Sequence, residues 1–221
     1  MARTRTYNHF CPVARSLEVI GEKWSLLIVR DLLRGPQRFT DLLRGLNNIT
    51  PKWLTLRLRE LESAGIVERD QEPGRKEVRY RLTEKGAQLG PVIAALNVWG
   101  VDHAMRPPEP GEGILLARSL QAIASYFNSR GLKAEVPLEW EIRTPDNPPA
   151  RIRFDGETWR LRGEDPPPAP ALVVESDAQA WAEFLAARGE DRAAVFARMR
   201  VAGGDDAVAF FRQAFRIPVG A

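Results

Sequence analysis

Apolar residues recur mainly at helical spacing through the first hundred positions of this 221-residue chain, and runs of strict alternation lie between further helical stretches in the rest. Two short helices are predicted first. Val13 to Ile20 is amphipathic, and Trp24 to Leu33 is strongly apolar, with Leu27, Ile28, Leu32 and Leu33 expected to be buried. Gly35-Pro36 stops the second. Residues 38–43 give another short helix, and Asn47-Asn48 supplies the turn after it. Thr50 opens a longer helix: its side chain can cap a free backbone N–H, and Pro51 at the first helical position loses nothing. Leu54, Leu58 and Leu61 form its apolar stripe, and Gly65 ends it where a left-handed residue is commonly needed. Residues 66–70 and 78–82 then alternate as two strands around the turn at residues 72–76.

Thr83-Glu84-Lys85-Gly86 caps a long helix in which Leu89, Val92, Ile93, Leu96 and Trp99 make a stripe reaching to about Ala104. Residues 107–113, rich in proline and glycine, cannot continue it and read as a linker. Residues 1–106 and 114–221 are therefore expected to be separate domains. The second opens with an amphipathic helix from Ile114 to Asn128. Three alternating segments follow, residues 138–143, 150–154 and 158–162, with a turn at Asp155-Gly156. Trp140, Ile142, Ile152, Phe154, Trp159 and Leu161 share the covered faces, and the intervening Arg and Glu residues are expected to face water. Residues 171–174 form another strand. Asp177 caps a helix through Ala187, residues 192–196 make a short one, and Asp205 caps a last one through Phe215. Helix, strands, then helices gives an α+β domain with one sheet face covered.

The helix after Thr50 turns a second face outward. Lys52, Thr55, Arg57 and Arg59 make it basic and rich in donors, and the hairpin that follows carries Arg75 and Lys76 at its tip. Short helix, turn, helix, basic hairpin is the pattern of a winged helix-turn-helix, whose second helix can enter a major groove while the wing reaches backbone or minor groove. Thr50, Lys52, Thr55, Arg57, Arg59, Arg75 and Lys76 are the candidate contacts to double-stranded DNA. Arg57 could instead tie its helix to a neighbour, and Trp53 reads as interface or core. Arg3 and Arg5 could touch DNA, although a frayed terminus is the simpler reading. Charge agrees with this division: residues 1–106 hold 18 Lys and Arg against 12 Asp and Glu, while residues 107–221 hold 14 against 17. A basic half joined to an acidic one suggests that only the first meets phosphate.

The run from Gly35 to Gly86, together with Cys11-Pro12 and Gly21-Glu22-Lys23-Trp24, resembles HxlR-type winged-helix regulators, relatives of the MarR group. The resemblance covers residues 8–105 and implies a dimeric, DNA-binding regulator of the bacterial cytoplasm, with the first and long helices forming the dimer interface. A two-fold dimer would place its recognition helices about 34–36 Å apart, one turn of duplex. The resemblance also implies a sensing role for Cys11, sometimes by bridging the dimer; an inert thiol is the alternative. Residues 113–217 are similar in element order to the sterol-carrier-protein fold, which implies an apolar cavity for a small hydrophobic ligand. Trp140, Phe154, Trp159, Trp181, Phe184 and Phe211 are candidates to line it, but a filled core would use the same residue types.

The remaining chemistry narrows the field. One cysteine cannot form an internal disulfide, which fits a reducing cytosol. No run of apolar residues is long enough to span a membrane, and the basic N-terminus lacks the apolar core of a signal peptide. The two histidines, His9 and His103, supply neither a triad nor a multi-histidine metal site, and no phosphate-binding glycine loop is present. No enzyme activity, metal or cofactor is expected. The expectation is a homodimeric repressor on a palindromic operator, answering to an apolar ligand or to thiol oxidation. The competing reading is a lipid-carrier or small-molecule-binding protein whose winged helix docks another protein.

Overall fold

A computed structural model describes residues 6–70, 77–162 and 169–218. The chain packs as two compact units that divide between Ile93 and Ala94. The division falls inside a helix, some way before the proline-rich segment at residues 107–113.

The first unit opens with helices α1 (Pro12–Ile20) and α2 (Ser25–Leu32). Strand β1 (Gln37–Arg38), helix α3 (Phe39–Gly45), helix α4 (Pro51–Ser63), strands β2 (Val67–Asp70) and β3 (Arg79–Leu82) and the short helix α5 (Glu84–Ala87) follow. Helix α6 (Gly90–His103) carries the chain into the second unit. Ile28, Val29, Leu32, Leu42, Leu54, Leu58 and Leu61 form the centre of the core, closed by Ile66, Val67 and Tyr80 from the small sheet. Leu27 and Leu33 depart from expectation: Leu27 is exposed and Leu33 only half-buried. Helix α2 is barely two turns long, so only the side holding Ile28, Val29 and Leu32 can reach the core. It starts at Ser25 because Trp24 has a φ of 81°, outside the helical region.

The hairpin strands pair antiparallel with Val67 opposite Leu82 and Asp70 opposite Arg79. A third strand joins them, since Gln37 pairs with Tyr80 and Arg38 with Arg79, giving the order β1-β3-β2. A two-residue strand is too short to display a period, and none was expected there. The helix after Thr83 is interrupted. Thr83 caps only α5, accepting from the Gly86 N–H at 3.0 Å, and a new helix begins around Pro91. No residue of α6 is fully buried; Val92, Leu96 and Trp99 stand exposed.

The second unit contains helix α7 (Leu116–Ser129), strands β4 (Leu138–Thr144), β5 (Asn147–Phe154), β6 (Trp159–Leu161) and β7 (Leu172–Glu175), helices α8 (Ala178–Ala186) and α9 (Gly189–Phe196), strand β8 (Arg200–Gly203) and helix α10 (Asp205–Ala214). The sheet runs β6-β5-β4-β7-β8, with β4 and β7 parallel and the other neighbours antiparallel. Phe127 from α7, Trp181 and Phe184 from α8, Phe196 from α9 and Phe211 from α10 share one core with Trp140, Ile142, Ile152, Phe154 and Trp159. The helices therefore cover one face, in a mixed α+β layer arrangement.

Three details differ from the expected pattern. Asp205 does not cap α10: Gly204 holds the cap position, and Asp205 and Asp206 lie in the first turn, where their charge faces the positive helix end. Residues 200–203, where no element is predicted, form an edge strand. A side chain on Gly203 would come within 2.6 Å of the Ala171 carbonyl oxygen, so close pairing needs glycine there. Finally, Glu139 and Glu141 do not face open water. They are 4% and 2% exposed, at the middle of the sheet's other face, in ion pairs with Arg151, Arg162 and Arg143. Taking a carboxylate out of water is tolerated only when such partners compensate it.

Candidate nucleic-acid interface

Helix α4 is set by both its ends. The Thr50 hydroxyl accepts from the Trp53 N–H at 3.3 Å, Pro51 occupies the first turn, and Gly65 has a φ of 68° just past the C-terminus. Asn47 and Asn48, both with positive φ, turn the chain from α3 into this cap. Leu54, Leu58 and Leu61 anchor one face in the core. Thr50, Lys52 and Arg59 are exposed and Thr55 is half-buried, its hydroxyl donating to the Pro51 carbonyl at 2.8 Å. Neither Lys52 nor Arg59 has an ion pair among the described residues. Their charge is uncompensated and on the outer surface of the helix.

Arg57 does not join that face. Its side chain is 7% exposed, with Nη1 2.6 Å from a Glu60 oxygen and 3.5 Å from a Glu22 oxygen. Its guanidinium lies 5.8 Å from the Trp53 ring. Spacing accounts for the inward turn: positions 54, 57, 58 and 61 are i, i+3, i+4 and i+7, one continuous helical stripe. Trp53, read from sequence as interface or core, is not in the core: it is exposed beside Lys52. A large indole there adds apolar and stacking surface to a charged face, and an apolar residue isolated from the stripe was the signal.

The wing strands are less free than their composition suggests. Arg69 pairs with Glu62 at 2.8 Å, Arg81 with Glu68 at 2.8 Å, and Arg38 and Arg79 both with Glu77. The hydrogen bond and charge of Glu62 hold the Arg69 guanidinium pKa above its usual value. Arg75 and Lys76 lie outside the described residues, as do Arg3 and Arg5.

Cys11 is the cap residue of α1, half-buried, with a free thiol. The aromatic set of the second unit is gathered into the core just described: all six side chains are fully buried. Their rings touch directly, Trp140 to Trp159 at 4.8 Å between centroids, Trp140 to Phe211 at 5.0 Å and Phe184 to Phe211 at 6.0 Å. The Trp181 indole N–H donates to the Ser119 hydroxyl at 2.8 Å, whereas that of Trp140 has no acceptor among the described residues. No group of three or more His, Cys, Asp or Glu among the described residues is placed to hold a metal ion. No described helix is long and apolar enough to cross a membrane.

A capped, basic second helix followed by an antiparallel wing defines a helix-turn-helix protein of the winged type. Residues 19–107 match the family described as HxlR-like helix-turn-helix. An uncharacterized HTH-type transcriptional regulator from Synechocystis sp. is 40% identical over 95 residues, 42% of this chain and 70% of that protein. The uncharacterized HTH-type transcriptional regulator YybR of Bacillus subtilis is 42% identical over 93 residues, 41% of this chain and 73% of that one. Among solved structures, the redox regulator HypR in its oxidized form is 39% identical and covers 42% of this chain and 97% of its own, with a TM-score of 0.40. The chain belongs to the HxlR-like helix-turn-helix family.

Proposed function

We propose that this protein is a DNA-binding transcription regulator that places α4 of each subunit of a homodimer in successive major grooves of a palindromic operator. The observation that carries the reading is the pair Lys52 and Arg59, exposed, free of ion pairs among the described residues and on one side of a helix whose other side is locked into the core. Phosphate contacts from such side chains supply affinity and make it fall steeply with salt, while contacts to base edges select sequence. The exposed apolar residues Val13 and Leu17 on α1, and Val92, Leu96 and Trp99 on α6, support pairing of two copies.

On this reading the protein works in the cytoplasm as a repressor, without catalysis. The second unit, or Cys11, receives the signal, an apolar ligand or thiol oxidation, and changes the separation of the two α4 helices. Resemblance of residues 113–217 to a sterol-carrier fold motivates the ligand; the aromatic core would have to open to admit it. The test is a gel-shift titration on genomic fragments combined with native mass spectrometry. Binding that weakens with salt, and about tenfold or more on Lys52→Ala/Arg59→Ala, is expected. A monomeric protein, or one that shifts no fragment at low salt, overturns the proposal in favour of a carrier whose helix-turn-helix docks a protein.

A further inference from the structure

The half of the chain with the acidic balance presents a basic surface. Register places Glu139, Glu141 and Arg143 of β4, Arg151 and Arg153 of β5, Arg160 of β6, Arg162 beyond it, Glu175 of β7 and Arg200 of β8 on the sheet face opposite the helices. Among the described residues, six arginines thus stand against three glutamates and Asp155, which pairs with Arg160 at 3.4 Å. Several of the other acidic residues of this half lie in the first turns of α9 and α10, where the helix ends favour them.

Two of the glutamates are enclosed, so the most exposed charges are guanidinium groups: Arg143 and Arg153 are exposed, and the side chains of Arg160 and Arg200 are 70% and 88% exposed against 32% and 38% for their partners Asp155 and Glu175. Arg153 lies directly across from Arg160. Like charges opposite one another in a sheet are destabilising; Asp155 offsets Arg160, but Arg153 has no ion pair among the described residues. Arg153 is thus left without a counter-charge in the described part of the fold, and an anionic partner would supply one. Every cation on the face is arginine, whose planar fork suits phosphate better than a lysine point charge does.

We propose that this arginine-lined face binds the phosphate backbone of duplex DNA, as a contact additional to α4. The proposal rests on the DNA-binding reading above, and the experiment separates the two. Full-length protein is titrated by fluorescence anisotropy onto a mixed-sequence duplex across a series of salt concentrations, beside Arg153→Gln/Arg160→Gln/Arg200→Gln and Lys52→Ala/Arg59→Ala. The triple variant is expected to lower the slope of log affinity against log salt by about 2–3, at roughly 0.9 for each phosphate no longer neutralised. Its melting temperature without DNA should be nearly unchanged, because the like-charge pair that is removed offsets the loss of the exposed Arg160–Asp155 and Arg200–Glu175 ion pairs, which contribute little. A wild-type slope in the triple variant, with a reduced one in Lys52→Ala/Arg59→Ala, overturns the sheet contact and leaves the α4 reading intact. An unchanged slope with loss of binding to poly-glutamate, or with a changed subunit number, assigns the face to an acidic protein or a second copy and equally overturns it. Failure of the wild type to bind duplex removes both readings.

Discussion

Arg57 and Glu22 stand 3.5 Å apart, joining α4 to the loop between α1 and α2. Glu60 completes the arrangement one turn along the helix at 2.6 Å. Neither Nε nor Nη1 of Arg57 has a well-aligned acceptor among the described residues, so the attraction is mainly one of charge. Arg57→Ala should lower stability by about 1–3 kcal/mol in urea denaturation, the range for losing an interaction with a charged group. Arg57→Met keeps the packing and should lose less. Lys52→Ala should leave the denaturation midpoint in place while weakening DNA binding. Equal midpoints for Arg57→Ala and wild type would show that the residue does not hold the helix.

Gly86 lies against the Ile66 carbonyl oxygen, so closely that any Cβ there would collide with backbone. That same oxygen accepts from the Thr83 N–H at 3.0 Å, which fixes α5 against the hairpin. Gly86→Ala is expected to destabilise by about 1–3 kcal/mol, the usual penalty for overpacking. Gly100, inside α6, has open space where a Cβ would go. Gly100→Ala should stabilise by about 0.5–1 kcal/mol, because alanine favours the helix. Thermal melts of the two variants should move in opposite directions.

Asp102 accepts from the Tyr126 hydroxyl at 3.1 Å and pairs with Arg130. Burial opposes its charge, but the hydroxyl and the guanidinium outweigh that and hold its pKa below the ordinary aspartate value. A carboxylate with a depressed folded-state pKa contributes stability above its unfolded pKa, and that contribution disappears as pH falls through the folded value. The gap in melting temperature between wild type and Asp102→Asn should therefore be constant near neutrality and narrow below about pH 4. A gap that widens on acidification would contradict the assignment.

Trp140 and Trp181 offer a matched comparison in one core. Both are fully buried, but only Trp181 has an acceptor for its indole N–H among the described residues, the Ser119 hydroxyl. Trp→Phe removes similar apolar surface at each site. Trp181→Phe should cost about 1 kcal/mol more than Trp140→Phe, the net worth of one hydrogen bond. Chemical denaturation followed by far-UV circular dichroism would measure the difference; no difference would mean that the Ser119 contact contributes nothing.

Local grammar made most elements legible. Thr50-Pro51 and Gly65 bracket α4, Asp177 caps the helix predicted from it, Thr83 caps the short α5 rather than the long helix predicted after it, and alternation placed Trp140, Ile142, Ile152, Phe154 and Trp159 on the buried side. Each of these signals acts over a few residues, so neighbours in sequence suffice to reveal it. The basic face of α4 was legible for the same reason. Arg57 carries the charge of a DNA contact but the spacing of the buried stripe between Leu54 and Leu61; of its two readings, the structure favours the one in which it ties its helix to a neighbour.

The alternating pattern along the chain determined which residues share a face, because side-chain direction follows backbone geometry alone. Only tertiary structure decided what each face meets. Strands β1 and β8 exist because distant partners supply their hydrogen bonds, Gln37 from Tyr80 and Arg200 from Glu175. Glu139 and Glu141 are buried because arginines from other parts of the sheet close over them. Net charge summed along the second half is acidic, yet folding collects its arginines on one surface, because the electrostatics of a face depend on residues adjacent in space.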